Sequence, residues 1–291
     1  MSSLSLVKKR VNFKDIAKLR SGMELATSFL PSFQEKVHYT SFKIEAINCK
    51  WVLPTDAETN KVLLYFHGGG YAVGSVQTHQ SVVIQICKHS KTKGLLFDYS
   101  LSPEHQFPTA LEDAIKVYQY LLAQGYAPQQ IAFGGDSAGG GLAMAAMLYI
   151  RDKMLAPLPA CYIALSPWMD LTCQNTSIRS NANTDVMLSK ESLLYMASIY
   201  IGKEAANHPY ISPLFAELEG LPPIYIQVCD AEILLDDSVL FAAKVKHAGV
   251  DVQIDIYEKL VHVWHTFWPF FSEAREANKK LGLYVKSQLS D

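Results

Sequence analysis

The stretch Ile131-Ala132-Phe133-Gly134-Gly135-Asp136-Ser137-Ala138-Gly139-Gly140 limits what this chain can fold into more than any other. Its first three residues read as the end of a buried strand. Residues 142–148, Leu-Ala-Met-Ala-Ala-Met-Leu, are strong helix formers. Ser137 therefore falls on the turn between a strand and a helix. Gly135-Asp136-Ser137-Ala138-Gly139 fits G-x-S-x-G, a turn so tight that side chains two positions either side of the serine would strike backbone. Such a turn strains the serine and pushes its hydroxyl off the sheet edge. It also sets that hydroxyl at a helix N-terminus, where free N–H groups favour negative charge.

A second motif lies upstream. Residues 61–66, Lys-Val-Leu-Leu-Tyr-Phe, form a near-continuous apolar run, as in a central parallel strand. The run ends in His67-Gly68-Gly69-Gly70-Tyr71. Its glycines leave backbone N–H groups free to approach a bound oxygen. Gly69 and Gly70 are the expected donors, with Gly68 shaping the turn. The N–H of Ala138, directly after Ser137, is the expected other half of an oxyanion-binding site. His67 is expected to anchor the loop rather than to move protons. A phosphate-binding loop does not fit: no Lys-Ser/Thr follows, and the glycine spacing matches neither G-x-G-x-x-G nor a P-loop.

The rest of the chain repeats strand and helix with short turns. Residues 37–46 and 49–53 read as strands, with 54–60 as a hairpin loop before the strand at 61–66. A helix follows at 78–90, stopped by Gly94, then a strand at 94–99, a loop with two prolines, and a helix at 109–123. Beyond Ser137 come strands at 160–166 and 221–228, a helix at 238–248, an alternating strand at 252–257 and a last helix at 272–289. This order predicts a doubly wound parallel sheet. Two pieces break the rhythm. Phe13, Ile16, Leu19 and Met23 recur at helical spacing near the start. Residues 175–209 contain an apolar helix-like piece at 193–200. Both could lie over the strand ends, with Phe13, Met23, Phe29, Phe33, Met187, Tyr195, Met196 and Tyr200 packing there or lining a pocket.

Composition excludes several classes. With 291 residues, 49% of them hydrophobic, the chain can bury a large core. A net charge of −2 disfavours nucleic acid or an anionic membrane as partner, and no run is long enough to span a bilayer. The first ten residues lack the order of a signal peptide. The five cysteines (Cys49, Cys87, Cys161, Cys173 and Cys229) are scattered, without metal spacing. A cytoplasmic location is expected.

On these motifs, over roughly residues 61–281, the chain resembles the hormone-sensitive-lipase-like branch of α/β-hydrolase esterases. Asp98-Tyr-Ser-Leu-Ser-Pro-Glu-His-Gln-Phe-Pro108 is similar to that family's Tyr-Arg-Leu-Ala-Pro-Glu-His-x-Phe-Pro stretch. Ser166-Pro-Trp-Met-Asp-Leu171 is similar to its segment before the cap insertion. The resemblance implies an α/β-hydrolase fold in one domain over residues 1–291: a mostly parallel eight-stranded sheet, helices on both faces, and a helical cap from approximately 1–45 and 175–210. It implies a serine carboxylic ester hydrolase acting on short- to medium-chain or small cyclic esters, with no cofactor and no metal. Lactone hydrolysis, deacetylation, or small-molecule binding without catalysis on the same fold are the alternatives.

The family order is nucleophile, acid, histidine. Its acid lies in an Asp-Pro-Leu-x-Asp stretch; the matching Glu232-Ile-Leu-Leu-Asp236 puts the acid on Glu232. Asp230, directly after the strand ending at Val228, is the rival. Asp236 and Asp237 are expected to cap the following helix and compensate its dipole. The family base precedes Gly-Phe. Here His262-Val-Trp and His265-Thr-Phe compete; His262 aligns better, leaving His265 partly buried elsewhere. The other histidines are read as surface or structural. Strand 252–257 could pair across a twofold axis as a homodimer edge.

Overall fold

The computed structural model describes residues 12–28 and 37–290. Expectations for residues 1–11, Phe29 and Phe33 lie outside the described residues. Eight strands form one sheet: β1 (Val37–Ile44), β2 (Ile47–Pro54), β3 (Glu58–Phe66), β4 (Thr92–Phe97), β5 (Ile131–Asp136), β6 (Cys161–Leu165), β7 (Ile224–Cys229) and β8 (Val252–Tyr257). Their order is β1-β2-β4-β3-β5-β6-β7-β8. Strands β3 to β8 run parallel; β2 is antiparallel to both β1 and β4.

The helices are α1 (Ile16–Ser28), α2 (Val76–Ser90), α3 (Thr109–Ala123), α4 (Ser137–Asp152), α5 (Ser177–Ser180), α6 (Lys190–Ile201), α7 (Leu235–His247) and α8 (Ser272–Gln288). Alternation along β3 divides the core. Val62, Leu64 and Phe66 face one side, with Leu111 of α3, Leu142 of α4 and Phe241 of α7. Leu63 and Tyr65 face the other, with Val83 and Ile86 of α2 and Leu281 and Val285 of α8. β5, β6 and β7 are buried at every position, as parallel strands covered on both faces must be.

Three local readings need correction. Residues 55–57 do not close a hairpin, because β4 lies between β2 and β3. The central strand β3 needs partners along both edges and takes two parallel ones, β4 and β5, which arrive later in the chain. Gly94 does not stop α2. Lys91 does so in a left-handed conformation (φ 61°), while Gly94 lies inside β4. A Cβ there would meet Val83 Cγ1 at 2.6 Å and Val52 Cγ2 at 2.7 Å, so the helix can approach the sheet only over glycine.

The third correction concerns Asp236 and Asp237. The N-cap of α7 is Leu234, so neither residue caps the helix, although both lie in its first turn, where their charge suits the dipole. Asp237 is buried and accepts the N–H groups of Met169 and Asp170 and the Asn175 amide, each at 2.8 Å. Asp236 accepts the Ser177 N–H at 2.8 Å. Together they pin the segment leaving β6. Asp237→Ala leaves two buried N–H donors and the half-buried Asn175 amide unmatched. At about 1–3 kcal/mol each, the expected loss is about 3 kcal/mol or more. Urea unfolding followed by far-UV circular dichroism checks this; an unchanged midpoint would contradict it.

Candidate active site

β5 passes into α4 with no intervening loop, and Ser137 carries the strain of the junction at φ 50°. A Cβ on Gly135 would lie 2.6 Å from Gly139 O, and one on Gly139 would run into the carbonyl oxygens of Phe66 and His67. Two glycines therefore let the helix start directly against the end of β3. The Ser137 carbonyl accepts the Trp168 N–H at 2.9 Å, and Tyr162 Oη donates to Gly140 O at 2.7 Å.

The loop after β3 is wired to this turn. Asp136 Oδ1 accepts from Tyr65 Oη at 2.9 Å and from the Gly68 N–H at 3.1 Å, and its Oδ2 lies 3.4 Å from His79 Nε2. Burial alone would raise the Asp136 carboxyl. The His79 imidazole, by charge and hydrogen bond, and the Tyr65 hydroxyl outweigh it and hold the carboxyl below its usual range. Gly68 is thus engaged, whereas Gly69 and Gly70 have no N–H acceptor among the described residues. Ala138, in the first turn of α4, belongs to the N–H groups an α-helix leaves unpaired. His67 holds the loop: its Nδ1 bonds Gly68 O at 2.8 Å, its ring stacks on Tyr99 at 4.2 Å, and its carbonyl accepts from Tyr99 Oη. Burial, reinforced by His79, pushes the His67 imidazole down to about 3, so it stays neutral.

His262 lies in the loop after β8, and Glu232 in the turn after β7. His262 Nδ1 is 2.6 Å from Glu232 Oε2. This contact keeps the imidazole proton on Nδ1 and leaves Nε2 as acceptor. Burial opposes the charged imidazole, but the hydrogen bond and charge of Glu232 prevail, so its pKa is raised above the usual 6.5. Glu232 Oε1 accepts from Ser166 Oγ at 2.7 Å and from the Cys229 N–H at 2.8 Å. Asn181 Nδ2 donates to the carbonyls of Asp230 and Glu232, and Asp185 Oδ2 accepts the Ile233 N–H at 3.0 Å. The insertion thus also clamps the acid-bearing turn.

Asp230 is turned away. It is exposed and accepts the Lys259 N–H at 2.8 Å. His265 also points elsewhere, its Nε2 2.9 Å from Gln227 Oε1. It is fully buried rather than partly so, and burial pushes it down to about 3.

Ser137 and His262 meet at a cavity of about 480 Å³, within the roughly 300–1,000 Å³ usual for small-molecule sites. Gly69 and Gly70 line it, as do Leu19 and Met23 of α1 and Leu193 and Met196 of α6. No hydrogen bond joins Ser137 Oγ to His262 among the described residues; such contacts commonly tighten only with substrate in place. Sequence reasoning missed Tyr65, His79 and Ser166, whose partners lie 66–71 residues away or on another element. It also gave Asp136 no role, since the motif leaves that position open.

The alpha/beta hydrolase fold family model matches residues 63–266. An acetyl-hydrolase of Streptomyces hygroscopicus is 37% identical over 82% of this chain and 79% of its own length. An esterase of Acinetobacter venetianus is 35% identical over 81% of this chain and 78% of its own. The structure of an esterase from the bacterial hormone-sensitive lipase family superposes with a TM-score of 0.95 at 34% identity, covering 99% of this chain and 96% of that one. The chain belongs to the alpha/beta hydrolase family, in the hormone-sensitive-lipase-like branch of its esterases.

Proposed function

We propose that this serine carboxylic ester hydrolase works through Ser137 as nucleophile, His262 as base and Glu232 as the acid that orients it. The observation that carries the reading is the buried 2.6 Å contact between His262 and Glu232, opening onto the cavity that holds Ser137. His262 Nε2 takes the hydroxyl proton of Ser137 as its Oγ attacks the ester carbonyl. The oxyanion is held by the N–H groups of Gly69, Gly70 and Ala138, each donor worth about 3 kcal/mol in the transition state. His262 then protonates the leaving alcohol, and water, deprotonated by the same imidazole, cleaves the acyl-enzyme.

The apolar walls suit esters of short to medium acyl chain. Helix α1 and residues 175–210 serve as the cap over the site, which accounts for Leu19, Met23, Leu193 and Met196 on its walls. The free edge of β8 is the surface on which two copies pair in this reading. The five cysteines, buried and unpaired, suit a reducing compartment, in keeping with a cytoplasmic enzyme.

Ser137→Ala is expected to reduce p-nitrophenyl butyrate hydrolysis to the uncatalysed background; undiminished turnover would refute the assignment. The pH profile tests the base. His262 must be neutral to act, and its pKa is raised, so kcat/KM should fall as pH drops through a midpoint above about 6.5. Glu232→Gln removes the partner that holds the second proton and leaves burial unopposed. The acid limb should then move to lower pH while the plateau kcat drops on the order of 10³–10⁴-fold. An unmoved acid limb would separate the observed titration from His262.

A further inference from the structure

Val263 follows the proposed base in the left-handed region, at φ 49°. For a β-branched side chain this is a rare and strained conformation, persisting only where the surroundings impose it. They do so here. The Val263 N–H reaches Ser166 Oγ at 3.4 Å, the hydroxyl that also holds Glu232. The Val263 carbonyl accepts both the N–H and the hydroxyl of Thr266, at 3.2 and 3.0 Å. Trp264, fully buried, anchors the next residue. The backbone at this position is therefore committed to a shape that glycine would take without strain, yet the chain carries valine.

The Val263 side chain lies outside the main apolar clusters. It is buried, and it borders the cavity that holds Ser137 and His262. Its place on that wall follows from the chemistry. The imidazole that accepts the Ser137 proton must return it to the leaving oxygen, so the alcohol half of the ester lies on the His262 side. Val263 is the adjoining piece of that wall. We propose that Val263 determines specificity for the alcohol portion, its isopropyl group narrowing the site beside the base so that esters of branched alcohols are rejected. The inference rests on the mechanism proposed above.

Two variants of the full chain test it. Val263→Ala shortens the side chain and keeps a strained backbone; Val263→Gly removes both side chain and strain. Hydrolysis of ethyl, isopropyl and tert-butyl acetate is compared with that of p-nitrophenyl acetate, butyrate and hexanoate. Both variants should raise the tert-butyl to ethyl ratio of kcat/KM on the order of tenfold, leaving the order of acyl preference unchanged. The glycine variant should unfold at a higher temperature than the alanine variant, since both lose the buried isopropyl group and only glycine takes the left-handed backbone without strain. An unchanged alcohol ratio in both variants, or a shift confined to the acyl series, overturns the proposal. If the glycine variant does not fold, the alanine variant decides by the same ratio. A parent chain that hydrolyses none of these esters sinks the mechanism and this inference with it, an outcome distinct from an active parent whose ratio does not move.

Discussion

The contact on which the site depends is the one between Gly139 and the carbonyl oxygens of Phe66 and His67. It places the start of α4 directly against the end of β3, with no room for a side chain between them. The serine turn and the glycine loop thereby become one object rather than two neighbouring loops. Asp136 completes the joint by taking the Gly68 N–H across it. The neighbouring Gly69 and Gly70 line the cavity, and their N–H groups have no acceptor among the described residues. Relative placement of Ser137 and the proposed oxyanion donors is thus a property of two adjacent strand ends, held by backbone packing.

Charge has to be managed at the same junction. An ionised Asp136 beside an oxyanion-binding loop would oppose the negative charge the loop is proposed to stabilise. His79, at 3.4 Å, and the Tyr65 hydroxyl partly offset it. His67, forced neutral by burial, adds no proton traffic of its own. Across the cavity the balance runs the other way. The Glu232 charge stabilises a cationic His262, the state the proposed mechanism requires after the serine proton is taken. Each side of the cavity has its own imidazole–carboxylate pair, His79 with Asp136 and His262 with Glu232.

What was legible in the sequence follows the range of the forces involved. The serine turn was readable because strand, turn and helix lie within 20 or so consecutive residues, and the sterics of Gly135 and Gly139 are local. The acid and base needed the family pattern, since nothing in residues 230–237 alone separates Asp230 from Glu232. The proposed choice of Glu232 draws on contacts outside that stretch and on the strand before it: Ser166 Oγ and the Cys229 N–H hold its carboxylate. Asp236 and Asp237 misled for the same reason. Their position in the first turn of α7 fits a capping role, but their partners are at 169–177, in the segment leading into the insertion and at its start. The sheet order misled because β4, which separates β2 from β3, is 26 residues beyond the end of β3 in the chain.

The glutamate at the acid position is itself accounted for by this arrangement. A carboxylate must reach Nδ1 of His262 while staying fixed, and an extra methylene adds a rotatable bond that would loosen it. Here that freedom is removed at both ends. Oε1 takes two donors from β7 and the residue after β6, while Asn181 and Asp185 hold the turn beneath it from the insertion. The segment that roofs the cavity with Leu193 and Met196 also fixes the acid at its base. One segment, residues 181–196, therefore supplies both contacts to the turn that carries Glu232 and apolar side chains to the cavity wall.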